Sequence, residues 1–181
     1  VGFVAHIKGE RSHQIVRDAD TVLQNMTHRG ACGCDPNTGD GAGILTALPH
    51  EFLTKVARTD LGAELPAPGK FSAGLVFLPQ IDKEREHCKK LVEHVIAEQG
   101  QKLVVWLTVP TRPKEANVGP TALQAEPIIE QLFIAAADGL EGDAFERQLY
   151  FIRKRSSHAL RNDSNLSQAK MFYICSLSTK V

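Results

Sequence analysis

His28-Arg29-Gly30-Ala31-Cys32-Gly33-Cys34-Asp35-Pro36-Asn37-Thr38-Gly39-Asp40-Gly41-Ala42-Gly43 is the stretch on which the reading of this chain turns. Its five glycines and Pro36 cannot prolong a helix, so it breaks whatever precedes it. Gly39, Gly41 and Gly43 let the backbone pass close to a ligand or a neighbouring strand. A dinucleotide loop needs G-x-G-x-x-G between a strand and a helix. Here Gly39-x-Gly41-x-Gly43 has another spacing, follows a helical stripe and enters an apolar run. A P-loop needs a Gly-Lys-Ser/Thr ending that this stretch lacks. Nucleotide binding is therefore disfavoured, and a tight turn is the local reading of the glycines.

Working outward on the amino-terminal side, Ile15, Val16, Ala19, Val22, Leu23 and Met26 recur on one helical face behind Ser12, a candidate cap. Before them Val1, Phe3, Ala5 and Ile7 alternate as in a strand, which reads His6 as a core histidine. On the other side Ile44 to Leu48 predicts a strand, followed by a short helix after Pro49 carrying Phe52, Leu53, Val56 and Ala57. Phe71–Leu78 predicts a strand. Asp82 caps a helix with the stripe Cys88, Leu91, Val92, Val95 and Ile96, which stops at Gly100. Leu103 to Val109 and Ile128 to Ala136 read as strands around a Pro-rich loop at 110–127. Asp143 with Glu146 predicts a capping box for a helix carrying Phe145, Leu149 and Ile152, with Arg153-Lys154-Arg155-Ser156-Ser157 as its exposed tail. Phe172 to Leu177 is the last expected strand. Strands alternating with helices argue α/β, and the long crossovers by themselves suggest a parallel sheet.

Composition narrows the class. With 43% hydrophobic and 23% charged residues over 181 positions, the chain has the profile of one globular domain, 1–181, with a sizeable core. Lys plus Arg and Asp plus Glu balance at 21 each, so there is no electrostatic case for nucleic acid or an anionic membrane. No apolar run is long enough to span a bilayer and no signal-like segment opens the chain, which predicts a cytoplasmic or plastid-stroma setting. Cys32, Cys34, Cys88 and Cys175 are too sparse for a disulfide framework. The CxC pair admits a zinc or redox site or two free thiols, and the lack of a second Cys/His pair nearby favours the thiols. The chain opens and closes in strand-like runs, at Val1 and Val181, which predicts a fragment of a longer protein.

Arg29 stands between His28 and Gly30 just beyond the helical stripe, where its planar fork could hold a carboxylate or satisfy helix-end carbonyls. Taken with its surroundings it points further. Val1-Gly2-Phe3-Val4-Ala5-His6-Ile7, the amphipathic helix, His28-Arg29-Gly30-Ala31 and Thr38-Gly39-Asp40-Gly41-Ala42-Gly43-Ile44 resemble, in order and spacing, the opening of the glutamate synthase large subunits. The stretch from Met26 to Leu48 with its Cys-Gly-Cys is similar to the pyridine-nucleotide-linked branch, and later segments fit more loosely.

That resemblance implies a type-2 glutamine amidotransferase domain of the N-terminal-nucleophile hydrolase kind. Its fold is a four-layer α-β-β-α sandwich, α+β in class and incomplete here at both ends, which replaces the parallel sheet. It implies glutamine as substrate and a nucleophilic cysteine at the mature amino terminus, whose own α-amino group is the base. By the family's Cys-Gly-Val-Gly-Phe start, that cysteine falls two positions before Val1, so no catalytic residue lies in the chain. The family's His-Ser-Arg-Phe-Ser-Thr segment and Asn-Gly pair are absent from the sequence. Loss of oxyanion donors alone costs about 10²–10³ in rate, so the 181 residues by themselves are predicted inactive.

Arg29, Gly30, Asp40 and Gly41 are the residues the resemblance places around the site, with Asp40 equally readable as a stabiliser of its own turn. No cofactor is expected in this segment. FMN, an iron–sulfur cluster and NAD(P)H would belong to the parent enzyme, along with its remaining domains and a small flavoprotein subunit or domain. Two rival readings stand beside this one. Another type-2 amidotransferase, making phosphoribosylamine, glucosamine or asparagine, is disfavoured by the long Thr38–Gly43 segment. A non-catalytic scaffold or binding domain with the same fold is the other.

Overall fold

The computed structural model describes residues 1–31, 35–38 and 41–181. They divide into two compact units, one of Val1–Leu45 with Arg112–Gln124 and the other of Thr46–Thr111 with Ala125–Val181.

The larger unit is built on a four-stranded sheet of β1 (Phe71–Leu78), β2 (Lys102–Thr108), β3 (Ile128–Ala135) and β4 (Tyr173–Ile174). The strand order is β2-β3-β1-β4, and every neighbouring pair is antiparallel. This corrects the parallel sheet suggested by alternating elements. The helix α3 (Asp82–Glu98) does carry the chain from β1 to β2, but β3 sits between those two strands. In the same way α5 (Gly142–Arg161) carries β3 to β4 with β1 between them. The connection is thus a pair of split β-α-β units. Crossover length permits adjacent parallel strands but does not demand them, and strand pairing decides.

Both long helices cover one face of the sheet. Val76, Leu78, Leu132, Ile134 and Ile174 are buried against Cys88, Val92, Val95 and Ile96 of α3 and Phe145, Leu149, Ile152 and Leu160 of α5. Each large apolar side chain fully buried in this way stabilises the fold by about 1.5–3 kcal/mol. Part of the other face, at Phe71, Ala73 and Phe133, is covered by Leu48 and by Leu53 of α2 (His50–Leu61). The α+β class holds. Of the four layers expected, the described residues supply one sheet and the helices against it.

Several local expectations fall. Asp82 is the first residue of α3, not its cap, and its carboxylate accepts instead from Arg85. Glu146 does not close a capping box, because its Oε1 accepts from the backbone N–H of Thr179 at 2.9 Å and the Ser178 hydroxyl at 3.2 Å. With the Thr179 hydroxyl also donating to it, three long-range donors have outcompeted the local one. The Arg153–Ser157 run is no exposed tail: α5 continues to Arg161, and Ser156 is fully buried on its core-facing side. The last strand is short, Tyr173–Ile174, extended only by an isolated bridge between Ala73 and Ser178.

In the smaller unit, α1 (His13–Asn25) forms where the apolar stripe predicts it, though none of its residues is buried among the described ones. Ser12 occupies the N-cap position with extended backbone and makes no side-chain cap bond. Residues 1–7 and 44–48 are not strands. Val1, Phe3 and Ile7 are almost wholly exposed, and His6 is an exposed residue whose Nδ1 accepts from the Glu10 N–H at 3.2 Å. Alternation becomes a strand only when a neighbouring edge takes its hydrogen bonds, and no described strand pairs with either run. The Pro-rich stretch contains one short helix, α4 (Pro120–Gln124).

Candidate active site

The end of α1 delivers Arg29. Met26 donates back to the carbonyls of Val22 and Leu23, both at 3.1 Å, and the helix tightens into a 3-10 turn over Thr27–Arg29. The Arg29 N–H reaches the Met26 carbonyl at 2.8 Å and that of Gly30 reaches Thr27 at 3.1 Å, after which Gly30 is extended at φ −76° and ψ 150°. His28 Nδ1 lies 3.0 Å from the Asn25 carbonyl and closes the turn. The Arg29 side chain is exposed and makes no ion pair or hydrogen bond among the described residues. Its guanidinium is therefore not spent on helix-end carbonyls there, and its five donors in a fixed fork suit an incoming carboxylate.

Beyond it, residues 35–38 are held to the stretch around α4. Asp35 is only 7% exposed, and its Oδ2 accepts from the N–H groups of Thr121 at 3.0 Å and Ala122 at 3.1 Å. Thr38 Oγ1 accepts from the Gly119 N–H at 2.8 Å, and the Asn37 side-chain amide donates to the Asn117 carbonyl. Gly119 packs directly on the Asp35 side chain, where a Cβ would collide with its Cβ and carboxylate. Gly41 follows at φ +90°, a left-handed value that supports its reading as a turn glycine. Asp40 lies outside the described residues, as do Gly39, Cys32, Gly33 and Cys34. No hydrogen bond or ion pair joins Arg29 or Gly30 to Gly41 among the described residues.

A model of the class-II glutamine amidotransferases matches this chain over residues 1–181. The chain belongs to the class-II glutamine amidotransferases. These are N-terminal-nucleophile hydrolases, and the antiparallel sheet with its helices is consistent with that membership. The domain is 43% identical over 184 residues, covering 98% of this chain, to "Glutamate synthase [NADH]" of Schizosaccharomyces pombe. It is 34% identical, over 99% of the chain, to "Glutamate synthase [NADPH] large chain" of Bacillus subtilis. To "Ferredoxin-dependent glutamate synthase, chloroplastic" of Oryza sativa subsp. japonica it is 37% identical, again over 99% of the chain. The chain spans only 8% to 11% of the length of these relatives.

Arg29, Gly30, Asp40 and Gly41 stand out in the sequence, whereas Asp35 does not. The only local sign was Asp-Pro opening a turn. Its partners at 121 and 122 are more than eighty residues away, in a stretch read as irregular. Among the described residues no group of three His, Cys, Asp or Glu could hold a metal, and no helix is long and apolar enough to cross a membrane.

Proposed function

We propose that this amidotransferase chain, 1–181, is part of the glutaminase domain of a glutamate synthase. That domain hydrolyses glutamine to glutamate and ammonia, and the ammonia passes to 2-oxoglutarate for reductive conversion to a second glutamate. The observation that carries the reading is a match of the class-II amidotransferase family to the whole chain, joined to 34–43% identity with glutamate synthases. Support for residue roles comes from Arg29, exposed and unpaired among the described residues beside the extended Gly30. In this reading Arg29 takes the substrate carboxylate, while Gly30, Asp40 and Gly41 shape the pocket wall. The nucleophile is a cysteine two positions before Val1.

FMN, an iron–sulfur cluster and NAD(P)H serve the parent's reductive half, with its remaining domains and a small flavoprotein subunit or domain as partners. The setting is the cytoplasm or a plastid. The Thr38–Gly43 segment favours this enzyme over other class-II amidotransferases.

The test is mass spectrometry of the intact protein carrying this chain after treatment with 6-diazo-5-oxo-norleucine, a glutamine-like electrophile. One adduct, mapped to the cysteine two positions before Val1, is expected. No adduct on folded protein would overturn the glutaminase reading in favour of a non-catalytic domain. Arg29→Ala is expected to raise KM for glutamine at least tenfold, and Arg29→Lys to recover little of it, since a point charge does not replace a bidentate fork.

A further inference from the structure

The loop that carries the candidate binding residues has a composition that works against order. Five glycines between positions 30 and 43 enlarge the set of conformations it must give up to hold one shape. Its middle is nevertheless tied down. Asp35, Asn37 and Thr38 together engage Asn117, Gly119, Thr121 and Ala122. The Asp35 carboxylate takes two neighbouring N–H groups at the start of α4, the role an N-cap aspartate plays, but from a segment 86 residues away in sequence. Gly119 has to lack a side chain for the two segments to approach, since a Cβ there would overlap Asp35. Three side chains converging on one short turn, with a glycine at the point of closest approach, form a clasp.

We propose that Asp35 and Thr38 are positioning residues for the glutamine site and that Gly119 is the residue that lets them close. This rests on the glutaminase reading above. By fixing residues 35–38, the clasp anchors the chain at a point between Arg29–Gly30 and Gly41 in sequence. A loop already held in its binding shape spares the substrate the ordering cost, so the clasp acts on affinity and leaves the chemical step to other groups. Its loss therefore appears in KM more than in kcat.

The experiment combines amide hydrogen exchange with glutaminase kinetics on the intact protein carrying this chain, using Asp35→Ala, Asp35→Asn, Thr38→Val and Gly119→Ala. Wild-type protein is expected to protect the amides of Gly119, Thr121 and Ala122. Asp35→Ala is expected to lose protection at 121 and 122 and to raise KM for glutamine about tenfold at nearly unchanged kcat, as when the binding-competent loop falls to about a tenth of the population. Asp35→Asn keeps most of both properties, because asparagine caps about as well as aspartate. Gly119→Ala behaves like Asp35→Ala. Thr38→Val, close to isosteric, gives a smaller rise in KM and loses protection at 119 alone, which keeps the test open if a harsher variant misfolds.

Unprotected amides in the wild type would overturn the clasp itself. Lost protection with KM unchanged would overturn the positioning role. Protected amides in a protein with no glutaminase activity would overturn the glutaminase reading, and the positioning role with it, while leaving the clasp as a structural contact.

Discussion

The Nζ of Lys89, on α3, donates to Oε2 of Glu130, on the interior strand β3, at 2.8 Å. Both side chains are largely withdrawn from water, at 18% and 7% exposure, and the ammonium also lies 5.2 Å from the centroid of the Trp106 ring on β2. One ion pair thus ties a covering helix to two strands of the sheet. Its worth depends on both partners being present, since an unpaired carboxylate so close to the core is costly.

Lys89→Met should therefore destabilise the chain by about 3 kcal/mol, the low end for a buried pair broken on one side because Lys89 is 18% exposed, and Lys89→Met with Glu130→Met should recover most of that loss. Urea unfolding followed by the fluorescence of Trp106, the single tryptophan, reads both variants. An unchanged midpoint in the single variant would show the pair to be energetically idle.

Two of the four thiols should separate by reactivity. Cys88 is fully buried on α3, and burial first, then the nearby Glu84 and Asp163 carboxylates, push its thiol up to about 12. Cys175 is exposed. The thiolate is the reactive form, so a maleimide at pH 8 should label Cys175 within minutes and leave Cys88 untouched until denaturant is added. Peptide mapping after timed labelling gives the answer, and early modification of Cys88 in folded protein would contradict its burial.

Acid should loosen the contact between α3 and the segment after α5. The hydroxyl of Ser167 and the N–H of Gln168 hold the Glu84 carboxyl below its ordinary value of 4.5. The N–H of Asn165 first, and then His87 at 2.7 Å, do the same for Asp163. A carboxyl whose pKa is depressed by folding stabilises the native state above its unfolded pKa, and that contribution disappears as pH falls through the lower, native value. Stability should be flat above about pH 5 and decline below about pH 4. Glu84→Gln should flatten the decline, measured as the urea midpoint across the acid range. An identical slope in wild type and variant would remove Glu84 from the account.

Gly74 marks how closely the chain after β4 passes over β1. A Cβ at this position would lie inside van der Waals contact with the Ser176 carbonyl oxygen and against Leu177. Overpacking of this kind typically costs about 1–3 kcal/mol, so Gly74→Ala should lower the urea midpoint. It should also make the chain after Ile174 easier to cleave at Lys180. A variant as stable as wild type would mean that the 175–178 segment yields without cost.

Secondary structure was legible wherever a periodic stripe met a partner surface close in the fold. The α3 stripe of Cys88, Val92, Val95 and Ile96 is the buried face of that helix, and Phe71–Leu78 is a strand with the bounds its alternation predicts. Arg29 was legible as a residue just past a helix end, and the structure leaves its side chain exposed there. Asp35 was not legible as a clasp, because its two hydrogen bonds leave no trace at local spacing.

What the sequence by itself determined was the set of elements with a strong apolar period, the family, and the turn glycine at position 41. These follow from properties of residues near one another in the chain. The tertiary structure alone decided that β3 lies between β1 and β2, that Glu146 serves Ser178 and Thr179 rather than its own helix cap, and that residues 1–7 form no strand. In each case the deciding hydrogen bond comes from a distant residue or is missing. Backbone and carboxylate groups bind whichever partner packing brings within reach, and that is a property of three-dimensional neighbours.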